Sequence, residues 1–269
     1  GGINYEITPN MRLYASIAHT SREPSRNDIK EAVGDKNRTI DSESLNDFEL
    51  GYSYKSDIFS GELNFYYMDF TNEIVPTGKF SQNGYSIMAN VDKSYRTGIE
   101  IQALVRPLKK LSIEANATFS RNRIRDYVYW AETYDDNLNL SIEEYHTGET
   151  NTAFSPEIIA AGNINYNIFG NFNVYYNVKF VGKQYTDNTS SSDRMLKPYC
   201  INSIGIDYTV ISKYVKALRF RFEVNNLFNT MYSDNAYGEI WYERGIQYSG
   251  INYFPQAGIT FMGGVTISF

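Results

Sequence analysis

The last stretch of the chain constrains the fold most. Ile259, Phe261, Val265, Ile267 and the terminal Phe269 fall on one side of an extended backbone, and Thr260, Met262, Thr266 and Ser268 on the other. Side chains on a strand alternate faces, so this spacing predicts a strand with one apolar and one polar face. Ten further segments repeat the pattern. They are Gly2 to Ile7, Met11 to Thr20, Leu45 to Tyr54, Phe59 to Phe70, Ser94 to Val105, Leu111 to Asn122, Pro156 to Asn167, Phe172 to Gln184, Tyr199 to Val210 and Ala217 to Asn226. In the segment from Ala217, Leu218, Phe220, Phe222 and Val224 alternate with Arg219, Arg221, Glu223 and Asn225. Charges on the second face are incompatible with a dry core, because unpaired buried charge is very costly. The expected fold is all-β, with the polar face turned to a hydrated or plugged interior.

Connection lengths carry the second signal. Short ones (Thr8 to Asn10, Ser56-Asp57, Pro107 to Lys110, Ile168 to Asn171, Ile211 to Lys216) alternate strictly with long ones (Ser21 to Ser44, Asn72 to Lys93, Arg123 to Ser155, Tyr185 to Pro198, Leu227 to Gln256). Outer-membrane barrels have short periplasmic turns and long extracellular loops, whereas a soluble barrel has no reason to gather every long loop at one end. The expected architecture is a transmembrane antiparallel β-barrel with Phe269 on the periplasmic side. Composition agrees. Mean hydropathy of -0.44 suits a barrel whose polar lumen residues dilute its lipid face. The 24 tyrosines and 16 phenylalanines, against two tryptophans, fit interfacial girdles. A tyrosine-rich β-sandwich is the soluble alternative. A net charge of -6 speaks against nucleic acid as a partner. Cys200, the single cysteine, can form no internal disulfide. No run approaches the length of a membrane helix.

Eleven strands raise a parity problem, since bacterial single-chain barrels have even strand numbers and an open sheet edge does not persist in lipid. The chain opens on Gly1-Gly2 without a signal peptide. We therefore expect it to be mature, truncated or both, and to be the C-terminal portion, over residues 1–269, of one larger barrel domain.

Several segments resemble the C-terminal half of a TonB-dependent outer-membrane receptor. Val224-Asn225-Asn226-Leu227-Phe228-Asn229, followed by Tyr232, resembles that family's penultimate-strand motif. Tyr253-Phe254-Pro255-Gln256-Ala257-Gly258, with Phe261 and Phe269, resembles its last strand, and the Pro-Gln-Ala-Gly ending is closer to receptors from Bacteroidetes than to the Pro-Gly-Arg ending common in enterobacteria. Phe48-Glu49-Leu50-Gly51 and Arg96-Thr97-Gly98-Ile99-Glu100 resemble mid-barrel motifs, and Tyr14 to Ser25 the approach to a long loop. The resemblance implies a 22-stranded barrel with a plug and a TonB-binding segment, neither of which lies in this sequence. It also implies outer-membrane lipid, TonB and a metal-chelate ligand as partners. The implied function is energised import of a scarce nutrient: an iron chelate (siderophore or haem), or alternatively cobalamin. A passive porin is the competing reading, but it leaves the Asn-Leu-Phe-Asn and C-terminal motifs without explanation.

Candidate ligand contacts on the long-loop side are Arg22, Arg26, Trp241, Tyr242 and Arg244. The arginines suit an anionic chelate, and the rings of the last loop, which also include Tyr237, Tyr248, Tyr253 and Phe254, suit a flat one. Pairing with loop or plug carboxylates, and packing between loops, are the ordinary alternatives. The third loop is acidic, with no Lys or Arg from Asp126 to Asn151. Such a loop repels a highly anionic catecholate chelate and presents no barrier to a neutral or cationic hydroxamate or to cobalamin. Within it, Asp135-x-Asn137-x-Asn139 resembles half of a calcium loop. However, Leu140 stands where a glycine is needed and His146 where a bidentate glutamate belongs, so no cofactor is expected and a solvated loop is favoured. His146 and His19 are the two possible axial ligands for haem. No enzyme is expected: His19-Thr20-Ser21 are consecutive, so they alternate faces rather than converge.

Overall fold

The computed structural model describes residues 1–33, 39–80, 85–211 and 213–269. In chain order the elements are β1 (Gly2–Thr8), β2 (Met11–Arg22), α1 (Arg26–Val33), β3 (Glu43–Lys55), β4 (Phe59–Phe80), β5 (Ser86–Leu108), β6 (Leu111–Ile124), β7 (Val128–Tyr134), β8 (Leu140–His146) and β9 (Thr150–Asn151). There follow β10 (Ile158–Phe169), β11 (Phe172–Val181), β12 (Gln184–Tyr185), a single 3-10 turn (Ser192–Arg194), β13 (Met195–Leu196), β14 (Tyr199–Ile211), β15 (Ala217–Asn225), β16 (Ser233–Glu243), β17 (Ile246–Pro255) and β18 (Thr260–Ser268). All eleven segments expected from alternation are strands. They form one antiparallel sheet in the order β1-β2-β3-β4-β5-β6-β10-β11-β14-β15-β18, with β9 added to β6. Within this sheet β1 and β18 each pair on one side, so it remains open.

Register shows why the alternation produces this sheet. Ala15, Leu50, Phe65, Ile99, Phe119 and Ile158 lie opposite one another across six strands, forming one apolar row on the outer face. Val105, Ile113, Ile164, Tyr176, Ile204, Val224 and Phe261 form the corresponding row through the second half. Leu50, Phe65, Phe119, Ile158, Ile164, Ile204 and Phe261 (65%) are exposed and the other large members of the rows half-buried, as suits a lipid-facing surface. A one-residue slip in any strand would turn its whole row inward, so the apolar face fixes the register.

The inner face is polar and hydrogen-bonded. Asn163 donates to Asn177 (2.6 Å), Asn177 to Ser203 (3.3 Å), and Ser16 to Glu49 (3.1 Å). Asp207 receives both Arg219 and Arg221. One device recurs. Tyr14 on β2 lies across Gly51 on β3, and its hydroxyl donates to Glu62 on β4 (3.3 Å). Tyr175 on β11 lies across Gly205 on β14 and donates to Glu223 on β15 (2.9 Å). A Cβ on Gly51 or Gly205 would sit 2.0 or 2.2 Å from the overlying ring, so these positions take no larger residue while the ring stays in place.

The long connections differ from the expectation of loops. β4 runs for 22 residues and β5 for 23, whereas about 9–11 residues cross a membrane as a tilted strand, so this hairpin stands well beyond the bilayer. Pairing continues from Thr71↔Lys93 through Pro76↔Met88, past the boundaries at Phe70 and Ser94 that alternation suggested. The pattern fades there because the hairpin packs against other loops instead of lipid. Val75, Val91, Ile124 and Tyr127 form a buried cluster at this end. A separate four-stranded sheet, β17-β16-β7-β8, caps the long-loop side, with Trp241, Tyr242 and Glu243 pairing in parallel with Glu132, Thr133 and Tyr134. In the first connection, Ser25 and Asp28 cap α1 reciprocally, Ser25 N–H to Asp28 Oδ2 (2.8 Å) and Asp28 N–H to Ser25 Oγ (3.2 Å). Parts of the first two long connections (34–38 and 81–84) and Ser212 in the last short turn lie outside the described residues.

Candidate functional site

Four of the five long connections converge on one cavity of about 1160 Å³, somewhat above the usual range for small-molecule sites. The β4–β5 hairpin contributes Val75, Ala89, Val91 and Asp92, while β7 and β8 contribute Trp130, Glu132, Tyr134 and Glu144. The segment after β12 brings Asp187 and Thr189, and β16 brings Tyr237, Glu239, Trp241 and Glu243. Trp130, Glu132 and Tyr134 alternate on one face of β7, and Trp241 lies opposite Glu132 on the neighbouring strand. Both tryptophans of the chain line this cavity.

A tyrosine ladder runs across the capping sheet, and two of its rings, Tyr127 and Tyr129, also line the cavity. Tyr127 stacks on Tyr129 (6.2 Å between centroids), Tyr129 on Tyr145 (5.5 Å), and Tyr145 on Tyr242 (4.1 Å, planes 7° apart). The Tyr129 and Tyr242 hydroxyls meet at 2.9 Å. Burial, then this hydrogen bond, holds the Tyr129 phenol well above its ordinary pKa. The ladder fixes β7, β8 and β16 relative to one another. It thereby holds Trp130 and Trp241 in place across the sheet.

Carboxylates set the field inside. Asp92, Asp126, Glu132, Glu144, Glu239 and Glu243 line the cavity, and among the described residues no Lys or Arg does. Glu132 accepts the Tyr134 hydroxyl (3.2 Å) and Glu243 accepts the Trp241 indole N–H (2.9 Å). Glu144 meets His146 Nε2 at 2.8 Å. Asp187 is the exception, because its carboxylate pairs with Nε of Arg194 (2.5 Å), which is fully buried behind Gly238.

The five expected ligand contacts separate in space. Trp241 lines the cavity, backed by Tyr248 at 5.8 Å. Tyr242 lies in the tyrosine ladder. Arg244 occupies the β16–β17 hairpin turn beside Gly245, both at positive φ (49° and 77°). Arg22 pairs with Glu43 at 2.7 Å at the top of β2, and Arg26 is exposed at the start of α1. Asp135, Asn137 and Asn139 do come together, as a turn closing the β7–β8 hairpin. Asp135 Oδ1 accepts the backbone N–H of Asn137 and of Asn139 (2.8 Å each), and Oδ2 accepts the Asn139 amide (2.8 Å). These bonds hold the Asp135 carboxyl below its usual pKa, the Asn139 side chain contributing most. Among the described residues, no group of three or more His, Cys, Asp or Glu is placed to hold a metal ion. His19 lies at the outer rim, its Nδ1 2.8 Å from Asn46 Oδ1. Trp130, Glu239 and the ladder tyrosines other than Tyr242 were not singled out from the sequence. A period-two reading of Val128 to Tyr134 and of Ser233 to Glu243 contains the signal.

The two C-terminal motifs meet physically. Asn226 (φ 50°) donates to the carbonyls of Thr230 (2.9 Å) and Ala257 (3.1 Å) and accepts the N–H of Thr230 (2.8 Å). Asn229 Oδ1 accepts the N–H of Ile259 (3.0 Å) and would lie 2.3 Å from a Cβ on Gly258. Leu227 N–H donates to Asn202 O (2.8 Å), Phe228 is exposed, Phe261 stacks on Phe222 (6.3 Å), and Phe269 is exposed at the end of β18.

Comparison with known proteins places this geometry in context. The family described as TonB dependent receptor-like, beta-barrel matches residues 1–227. A search of curated protein sequences finds no match. Among solved structures, the ferric yersiniabactin uptake receptor FyuA from Yersinia pestis superimposes with a TM-score of 0.64 at 17% identity, covering 97% of this chain and 35% of that one. The siderophore receptor PiuA from Acinetobacter baumannii gives 0.68 at 18% identity, covering 98% and 34%. The copper transporter OprC gives 0.69 at 16% identity, covering 100% and 39%. At these identities the likeness is one of fold, and the chain spans well under half of each structure.

Proposed function

The chain belongs to the TonB-dependent receptor β-barrel family, an outer-membrane family of receptors and transporters rather than enzymes, and on that premise we propose that it is part of a receptor importing an iron chelate. In this reading TonB supplies the energy through regions outside this sequence, and the ligand docks from outside among the long loops. The cavity carries the proposal. It lies on the long-loop end, is assembled from four separate connections, and combines two indole rings with polar groups at a volume suited to a siderophore or haem. The neighbouring structures named for ferric-chelate uptake favour iron over cobalamin.

The test is uptake. Deleting the gene in its own host should abolish growth on one iron chelate as sole iron source and leave growth on ferrous salt intact. Import of labelled ferric chelate should cease, and full-length protein should restore it. A deletion strain that imports every iron chelate normally but loses cobalamin uptake would overturn the choice of iron.

A further inference from the structure

We infer that the loop cavity is built for a chelate of neutral or positive net charge, with Trp130 and Trp241 receiving its cationic or flat portion and Glu132, Glu239 and Glu243 setting the sign. This inference rests on the receptor reading above and adds the ligand class.

Six carboxylates line the cavity, and among the described residues no Lys or Arg does. Among the described residues none of the six forms an ion pair with Lys or Arg, and Glu144 meets only His146. Arg194, behind Gly238 on the cavity wall, is fully buried and already engaged by Asp187 and Thr189. Of the arginines elsewhere on this end, Arg22 is held by Glu43, Arg121 by Glu149 (2.6 Å) and Arg123 by Glu157 (2.6 Å), while Arg26, Arg125 and Arg244 are exposed and outside the cavity lining.

A trianionic ferric tris-catecholate entering this field would meet like charge from the β4–β5, β7–β8 and β16 walls. A ferric trihydroxamate bearing an ammonium group meets the reverse. Its cation fits the negative faces of the indoles, and its charge is answered by carboxylates that already hold their geometry. Glu243 is fixed by the Trp241 N–H and Glu132 by the Tyr134 hydroxyl. These two acids are thus each paired with a ring on the same wall, an arrangement that receives an organic cation better than a bare metal ion.

Titration calorimetry on the purified full-length receptor, with three ferric chelates, tests this. The probes are a linear trihydroxamate with a free ammonium group, a neutral cyclic trihydroxamate and a tris-catecholate. The cationic chelate should bind tightest and the tris-catecholate at least about a hundredfold more weakly, with the gap narrowing as salt is raised. Combining Glu132→Gln, Glu239→Gln and Glu243→Gln should shrink the gap about tenfold. Trp130→Ala should weaken the two hydroxamates while leaving the fold, read by heat-modifiable migration, unchanged. A tris-catecholate that binds as tightly as the cationic chelate, or a triple variant that keeps the full gap, would overturn the charge rule and leave iron-chelate import standing. Binding of none of the three, with normal iron uptake in the deletion strain, would remove both.

Discussion

Asn229 and Gly258 are 29 positions apart in sequence and within contact in space, and their geometry shows what a short motif is for. The sequence identifies Asn226-Leu227-Phe228-Asn229 as a family signature without revealing its task, because its partners, Ala257 and Ile259, belong to the approach to the last strand. Asn229→Ala should cost about 1 kcal/mol by leaving the Ile259 N–H without its acceptor. Gly258→Val should cost about 1–3 kcal/mol through the clash with Asn229. Unfolding in urea from lipid vesicles measures both, and equal stability in either variant would contradict the clasp. The Asp135 turn gives a pH-dependent case. Its carboxyl is held below the usual value, so its contribution is present above the ordinary Asp pKa and disappears as pH falls through the lowered one. Protection of the Asn137 and Asn139 amides against hydrogen exchange, relative to their intrinsic rates, should therefore hold at neutral pH and vanish in acid.

At the scale of elements, lipid decides what is legible. Strands such as β15 and β18 contrast lipid with lumen, and their bounds agree with alternation to within a residue or so. The extensions of β4 and β5, and the whole capping sheet, have protein or water on both faces, so the contrast that marks a strand is absent although the period survives. The helix α1 was not expected from the sequence, where its cap shows only as Ser25 and Asp28, three residues apart. The segment between β12 and β13 gives no periodic signal at all, yet it ties the loops together. Asn188 accepts the Ala153 N–H (2.7 Å) and donates to Pro76 O (2.8 Å), while Arg194 holds Asp187 and packs under Gly238. Arg194→Met should leave the Asp187 carboxylate buried without its partner and destabilise this region by about 3–5 kcal/mol. Limited proteolysis on whole cells should then cut the loops between β6 and β10 and between β15 and β18, with the membrane-embedded strands still protected. Loops as resistant as those of the unsubstituted protein would show that Arg194 is not the tie.

For the whole molecule the governing fact is an open sheet. β1 pairs with β2 alone and β18 with β15 alone, leaving one edge of each free in the sheet. Backbone groups on such edges have no water to bond in hydrocarbon, at a cost of several kcal/mol each, so in the membrane both edges must find strands. The outer faces of the two edge strands are already dressed for lipid: Ile3 and Tyr5 on β1, Phe261, Val265 and Ile267 on β18, all exposed. That combination, apolar sides with unpaired edges, describes part of a larger barrel wall, in keeping with the share of each related structure that the chain covers. Residues 1–269 refolded alone into lipid vesicles should fail to give a compact species that shifts on heating in gel electrophoresis, while the full-length receptor gives one. Within that receptor, Phe220→Arg should destabilise by about 2–4 kcal/mol if it lies near mid-membrane, and an arginine at the lumen-facing Asn225 by much less. A heat-modifiable monomer formed by residues 1–269 alone would mean that β1 and β18 close on each other and that the chain is a barrel in its own right.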